Sequence, residues 1–230
     1  MLGRLTAREK GRAVTEWGEI LGLPVLEYRG DLSGRWGKRR AERGLKRLAR
    51  AGAEQVLLPE GFPWPELPER YGLTTPEGGP LIRAMAAPLA LAALERLEKS
   101  PERATVALLG RPGAGDAARA ARLLCPLVRR LAMAEGETAE ELRCTWGVPV
   151  LPPDSPADVA LCFAPGCGEN AALTLRLWQG QEGLAGLSLC CPRLPPGEGE
   201  ALPLLSALYQ AGKLGRRELK VLDKDGRKHL

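Results

Sequence analysis

The sequence predicts an α/β protein: a three-layer sandwich on a mainly parallel sheet, finished by a carboxyl-terminal β-hairpin. Three observations carry this expectation. Short β-branched and leucine-rich runs alternate with longer amphipathic runs along most of the chain, which is the pattern of βαβ units. Several of the short runs are apolar throughout, as strands covered on both faces must be. Towards the tail the period shifts to two, the signature of an antiparallel pair.

The elements follow in order. Residues 6–21 place Ala7, Val14, Trp17 and Leu21 at helical spacing, with Thr6 as N-cap and a stop over 22–24, and are predicted as a helix. "LPVLEYRG" (23–30) is predicted as a strand. "GRWGKRRAERGLKRLARAG" (34–52) sets Ala41, Leu45, Leu48 and Ala49 on one face and closes at Gly52, so it is a helix. "EQVLLPEG" (54–61) leaves it through a short turn as a second strand, completing a βαβ unit. Residues 62–79 are dense in proline and glycine and predict a loop with one helical turn. They mark a boundary between an amino-terminal βαβ subdomain (1–79) and a second subdomain (80–230), unless the two form one continuous domain.

Pro80 sits in the first turn of a helix running to about Lys99, with a kink expected at Pro88. A strand (105–109), a helix (116–124) and a strand (131–135) come next. "GETAEELRCTWG" (136–147) predicts a helix starting at Thr138, with Glu141 completing a capping box. "VPVLP" and "ADVALCFAPG" (157–166) are strands. Within 172–192, Leu173, Leu175 and Leu177 alternate with other residues, and a glycine-rich turn leads to a second alternating run, so this stretch is predicted as the hairpin. A helix over 201–211 and a strand "ELKVL" with a turn at 223–226 end the chain.

Composition narrows the functional classes. At 230 residues the chain can bury an adequate core without staples, and its 44% hydrophobic and 27% charged content is that of a globular protein. Aromatics are scarce at 4%, so Leu, Ala and Val must build the core. The first residues lack an apolar h-region, and the longest apolar stretch, 84–94, is interrupted by Pro88 and too short to span a bilayer. A cytoplasmic protein with no membrane partner is the expectation, with its six cysteines as reduced, mostly packed thiols. Net charge of +5 permits nucleic-acid contact without requiring it.

The stretch "TVALLGRPGAGDAARAARLLCPLVRRLAMAEG" (105–136) orders a strand, a glycine cluster, an alanine-rich amphipathic run and a second apolar run ending on a carboxylate. With "ADVALCFAP" as a further strand, it resembles the dinucleotide-binding half of Rossmann-type oxidoreductases, of the kind found in shikimate and glutamyl-tRNA reductases. The resemblance covers about a quarter of the chain, and under it the cofactor is NAD or NADP. It implies a site formed by Gly110, Arg111, Gly113, Gly115 and Glu135. The glycines shape the turn and admit the pyrophosphate, Ala118 permits close helix packing, and Glu135 binds ribose hydroxyls. Two alignments stay open: Gly110 as first glycine with Pro112 in place of the second, or Gly113 as first glycine after a turn lengthened by Arg111 and Pro112. Asp116 departs from the pattern. It suits a helix start but competes with a bound anion, a charge that Arg111 offsets.

Other chemistry is sparse, and no catalytic residue is assigned. The only histidine is His229, next to the carboxyl terminus, which leaves no Ser-His-Asp or Cys-His pair elsewhere. An oxidoreductase would need a proton donor from the other half; Tyr28, Asp31, Glu60 and Tyr71 fall at or beyond strand ends, where ligand sites of open α/β sheets collect, although ordinary loop roles account for each of them better. Cys162, Cys167, Cys190 and Cys191 lack the paired spacing of a zinc site. The helix over 35–50 carries a basic stripe: Arg35, Lys38, Arg39, Arg43 and Lys46, with Trp36 able to stack on a base. The proline-rich stretch after Leu58 either lines a crevice or merely connects subdomains. Three readings therefore stand together: a non-catalytic protein holding a nucleotide or other small ligand at strand ends, an NAD(P)-dependent oxidoreductase in which Glu135 selects NAD, and a nucleic-acid-contacting protein acting through the basic helix.

Overall fold

The computed structural model describes residues 1–8, 12–110, 115–167, 170–223 and 228–229. The chain divides into two compact units, residues 1–77 with 203–215 and residues 78–202 with 216–230.

In the first unit, β1 (Leu2–Ala7), β2 (Val14–Ile20), β3 (Leu23–Gly30), α1 (Gly37–Arg50) and β4 (Gln55–Leu57) follow one another. The strands form a sheet of order β2-β3-β1-β4, in which β1 runs parallel to β3 and β4 while β2 is antiparallel to β3. The helix expected over 6–21 is therefore replaced by the end of β1 and the whole of β2. Leu21 and Gly22 both take positive φ, 49° and 79°, and make a two-residue turn that sets Ile20 opposite Leu23. Pairing with β3 satisfies the backbone groups of β2 that face it, and its β-branched Val14, Thr15 and Ile20 suit an edge strand. Trp17, which the helical spacing had turned inward, is 64% exposed.

α1 buries Ala41, Gly44, Leu45 and Leu48. Together with Leu5, Leu26, Tyr28 and Val56 of the strands, and Leu67 and Leu73 beyond β4, these side chains form the core of the unit. Gly44 permits the close approach: a β-carbon there would stand 2.6 Å from the Tyr28 ring and 2.9 Å from Leu5 Cδ1. The proline-rich loop carries one 3-10 turn, Glu69–Tyr71, as expected.

The second unit opens with α2 (Gly79–Ala84) and α3 (Ala86–Arg96). The break falls at Met85 rather than at Pro88, because Pro88 occupies the first turn of α3, where no intrahelical bond needs its missing N–H. Then come β5 (Thr105–Leu109), α4 (Gly115–Leu124), β6 (Arg130–Met133), α5 (Glu137–Trp146), β7 (Val150–Leu151), β8 (Ala157–Cys162) and β9 (Ala171–Arg176). α5 begins at Glu137, with Gly136 as N-cap and no side-chain cap, so the expected capping box does not form. All five strands are parallel, in the order β7-β6-β5-β8-β9. This is the Rossmann-like arrangement, with the first strand central and the chain moving outward on each side of it in turn.

β10 (Leu187–Cys190), β11 (Lys220–Asp223) and β12 (Lys228–His229) form an antiparallel sheet. The antiparallel end of the fold is thus present, but its partners differ from those expected. The first alternating run of 172–192 becomes β9 and joins the parallel sheet beside β8, while the second, β10, pairs with β11. The expected turn at 223–226 lies mostly outside the described residues. α6 (Leu202–Gln210) belongs from Pro203 onward to the first unit, where Gln55 donates from Nε2 to Gln210 Oε1 at 2.9 Å. Among the described residues no helix is long and apolar enough to cross a membrane.

Candidate functional site

From β5 the chain passes through α4 and α5 to β6 and β7 on one side, then returns across the sheet to β8 and β9 on the other. The carboxyl ends of β5 and β8 therefore flank the point where the connections part, which in an open parallel sheet leaves a crevice for ligands. Local chemistry holds these two ends together. Phe163 donates its N–H to Leu109 O at 2.8 Å, and the next residue, Gly110, takes φ +151°. A β-carbon at Gly110 would meet Phe163 Cβ at 3.1 Å, so glycine answers both the backbone conformation and the space. At the opposite end of the same pair, Asp158 accepts the Thr105 N–H at 2.9 Å and Lys99 Nζ lies 3.0 Å away. Burial pushes the Asp158 carboxyl up, but these two donors outweigh it and hold the group below the ordinary aspartate range.

At the start of α4, no described atom lies within 4 Å of where a Gly115 β-carbon would be. Asp116, in the first turn, is taken up by two guanidiniums: Arg83 Nε of α2 at 3.0 Å and Arg119 Nη1 at 3.6 Å. The negative charge that the sequence sets against anion binding is thereby matched. Arg111 and Gly113 lie outside the described residues. Glu135 stands two residues past Met133 and Gly110 two past Leu108, and Leu108 and Met133 are register partners, so both reach the same edge at the same level. The Glu135 side chain is 69% exposed, and Arg143 of α5 grips both of its oxygens, at 2.7 and 2.5 Å. The Arg143 hydrogen bonds lower the Glu135 pKa. The Arg83 and Arg143 pairings were not visible in the sequence, since each depends on how a helix packs, whereas Arg119 forms a local i,i+3 pair with Asp116.

The remaining residues singled out by sequence divide clearly. Tyr28 is a core side chain at 4% exposure, and Tyr71 packs half-buried against the same core. Asp31 and Glu60 line a crevice of about 410 Å³ with Ala7, Ser33 and Phe62, so the proline-rich loop does border a cavity at the carboxyl ends of β1, β3 and β4. Asp31 accepts from Ser33 N–H and Oγ, at 2.9 and 2.6 Å, and from Arg40; the Ser33 bonds chiefly lower its pKa, with Arg40 adding to them. The sequence offered a crevice beside this loop but not Ala7 in its lining, because β1 was not recognised as a strand.

Arg35, Trp36, Lys38, Arg39, Arg43 and Lys46 are all exposed at or along α1. Cys125, Cys162, Cys190 and Cys191 are buried, and Cys167 donates to Ala164 O at 3.0 Å. Among the described residues, no three histidine, cysteine or acidic side chains are grouped as metal ligands. His229 lies in β12, opposite Val221.

No protein-family model matches this chain, and no curated protein matches it in sequence. Among solved structures, L-tryptophan dehydrogenase from Nostoc punctiforme is similar at a TM-score of 0.29 and 15% identity, over 61% of this chain and 44% of that one. This chain thus spans less than half the length of that dehydrogenase, and a likeness of this degree carries no functional argument.

Proposed function

We propose that the second unit binds a nucleotide, and specifically a pyrophosphate-bearing dinucleotide of the NAD class, where β5 and β8 part. The observation that carries this reading is the strand order β7-β6-β5-β8-β9, in which the carboxyl end of β5 lies at the divergence of the sheet. The residues there suit the group. Gly110 turns the chain away from β5, Gly115 leaves open space at the amino end of α4, and Arg83 and Arg119 neutralise Asp116. The amino terminus of α4, the positive end of the helix dipole, then receives the pyrophosphate. Glu135, held in orientation by Arg143, accepts ribose hydroxyls from the neighbouring strand end. A bound dinucleotide would supply hydride chemistry; this chain's own residues bind and orient it, and no catalytic role is assigned to any of them.

The test is a thermal-shift series with NAD, NADH, NADP and NADPH. A ligand held only by the native state raises Tm by mass action, with about 2.7 kcal/mol gained at a hundredfold excess over Kd. A saturable rise with at least one of the four is the expected result. No shift with any of them at millimolar concentration overturns the reading.

A further inference from the structure

We infer that the exposed face of α1 is a binding surface for single-stranded nucleic acid, with Trp36 as its stacking platform. The argument begins with the segregation of charge. Residues 35–50 hold eight basic side chains and one acid, Glu42, whereas the whole chain carries only +5, so the rest of the molecule is slightly acidic. A solvated outer helix face ordinarily mixes the two signs in i,i+4 pairs. Here the exceptions are few. Arg40 is committed to Asp31, and Arg47 donates to Thr15 Oγ1 at 3.1 Å.

Geometry arranges the others. Arg39, Arg43, Lys46 and Arg50 succeed one another at steps of four, three and four residues, which makes one continuous ridge along the helix. The buried residues Ala41, Gly44, Leu45 and Leu48 occupy the opposite side, so the ridge faces outward. A row of cations at this repeat presents successive charges to a phosphate backbone.

The choice of a single strand comes from Trp36. At the amino end of the ridge its ring is 47% exposed, with the Arg39 guanidinium 4.8 Å and the Arg35 guanidinium 5.5 Å from the ring centroid. Both guanidiniums lie over the indole ring, and such an Arg–Trp stack presents planar aromatic and guanidinium surfaces on which an unpaired base stacks, which a paired base in a duplex cannot use without leaving its stack. A purely electrostatic surface for a duplex or an acidic protein has no use for that ring.

The experiment is fluorescence anisotropy of the full chain with labelled oligo(U), oligo(dT) and a duplex of equal length. With about four phosphates neutralised, a log–log salt slope near −3 is expected for the single strands, a loss of roughly 50-fold between about 50 and 200 mM salt. The variant R39Q/R43Q/K46Q/R50Q changes only exposed positions of the ridge; its Tm is expected to match the parent while affinity falls at least tenfold and the slope collapses. Trp36→Ala is expected to weaken single-strand binding about tenfold with the slope unchanged. The two oligonucleotides distinguish RNA from DNA as the source of the strand. No binding at low salt, or parental affinity in the quadruple variant, overturns the surface. Duplex binding as tight as single-strand binding, with Trp36→Ala silent, overturns the single-strand assignment.

Discussion

Glu135 shows how much a single side chain's neighbours decide. The sequence places a carboxylate at the end of the second parallel strand, and the structure adds Arg143 across both of its oxygens. On the proposed reading, Glu135→Ala removes the acceptor for ribose hydroxyls and frees Arg143 for a 2′-phosphate. NAD affinity is expected to fall about tenfold and the NADP-to-NAD ratio to rise, both read by calorimetry; unchanged affinities for both cofactors would remove Glu135 from the site. Asp158 supports the fold from the other end of the β5–β8 pair. Its carboxyl pKa lies below the ordinary value, so its contribution is present above the unfolded-state pKa of about 3.9 and is lost as pH falls through the lower folded value. Asp158→Asn is expected to cost about 1 kcal/mol near neutrality, with the gap closing below about pH 4 in denaturant titrations. The positions of Gly110 after β5, Gly115 at the start of α4 and Glu135 past β6 were legible in the sequence because the strand-helix-strand spacing is local. The Arg83–Asp116 pair was not, since it joins side chains 33 residues apart that meet only when α2 packs beside α4.

Among the elements, those with one strong period and clean ends were legible: α1, α4, β5 and β8 stand within a few residues of expectation. β2 was misread because Ala7, Val14, Trp17 and Leu21 fall by chance at helical spacing, and only pairing with β3 through the Leu21–Gly22 turn reveals the strand. β9 was misassigned for a related reason. Alternation identifies a strand but not its partner, and the partner is β8 rather than β10. α1 offers a test of element packing. Gly44→Ala should gain about 1 kcal/mol of helix propensity yet lose about 1–3 kcal/mol to the clash with the rigid Tyr28 ring 2.6 Å away. A lower urea midpoint with unchanged m is expected, whereas an unchanged or higher midpoint would mean that α1 does not seat so closely on the sheet.

For the molecule as a whole, each of the two units contains a sheet that is wholly or mainly parallel, and in the first a crevice lies at the strand carboxyl ends. That α6 returns to the first unit from beyond the second could not be seen in a local pattern, because an apolar helix does not declare which sheet it covers. The central claim concerns the second unit, and Gly115 allows it to be tested with little risk to the fold. A β-carbon there meets no described atom within 4 Å, and an aspartate in the first turn of a helix favours the helix dipole. Gly115→Asp is therefore expected to keep the parent Tm while setting a negative charge where the pyrophosphate would lie. The decisive measurement is a calorimetric titration of parent and Gly115→Asp with NAD and NADP. Saturable binding to the parent with at least a hundredfold loss in the variant is the expected result; equal binding to both proteins, or none to the parent, would contradict the account.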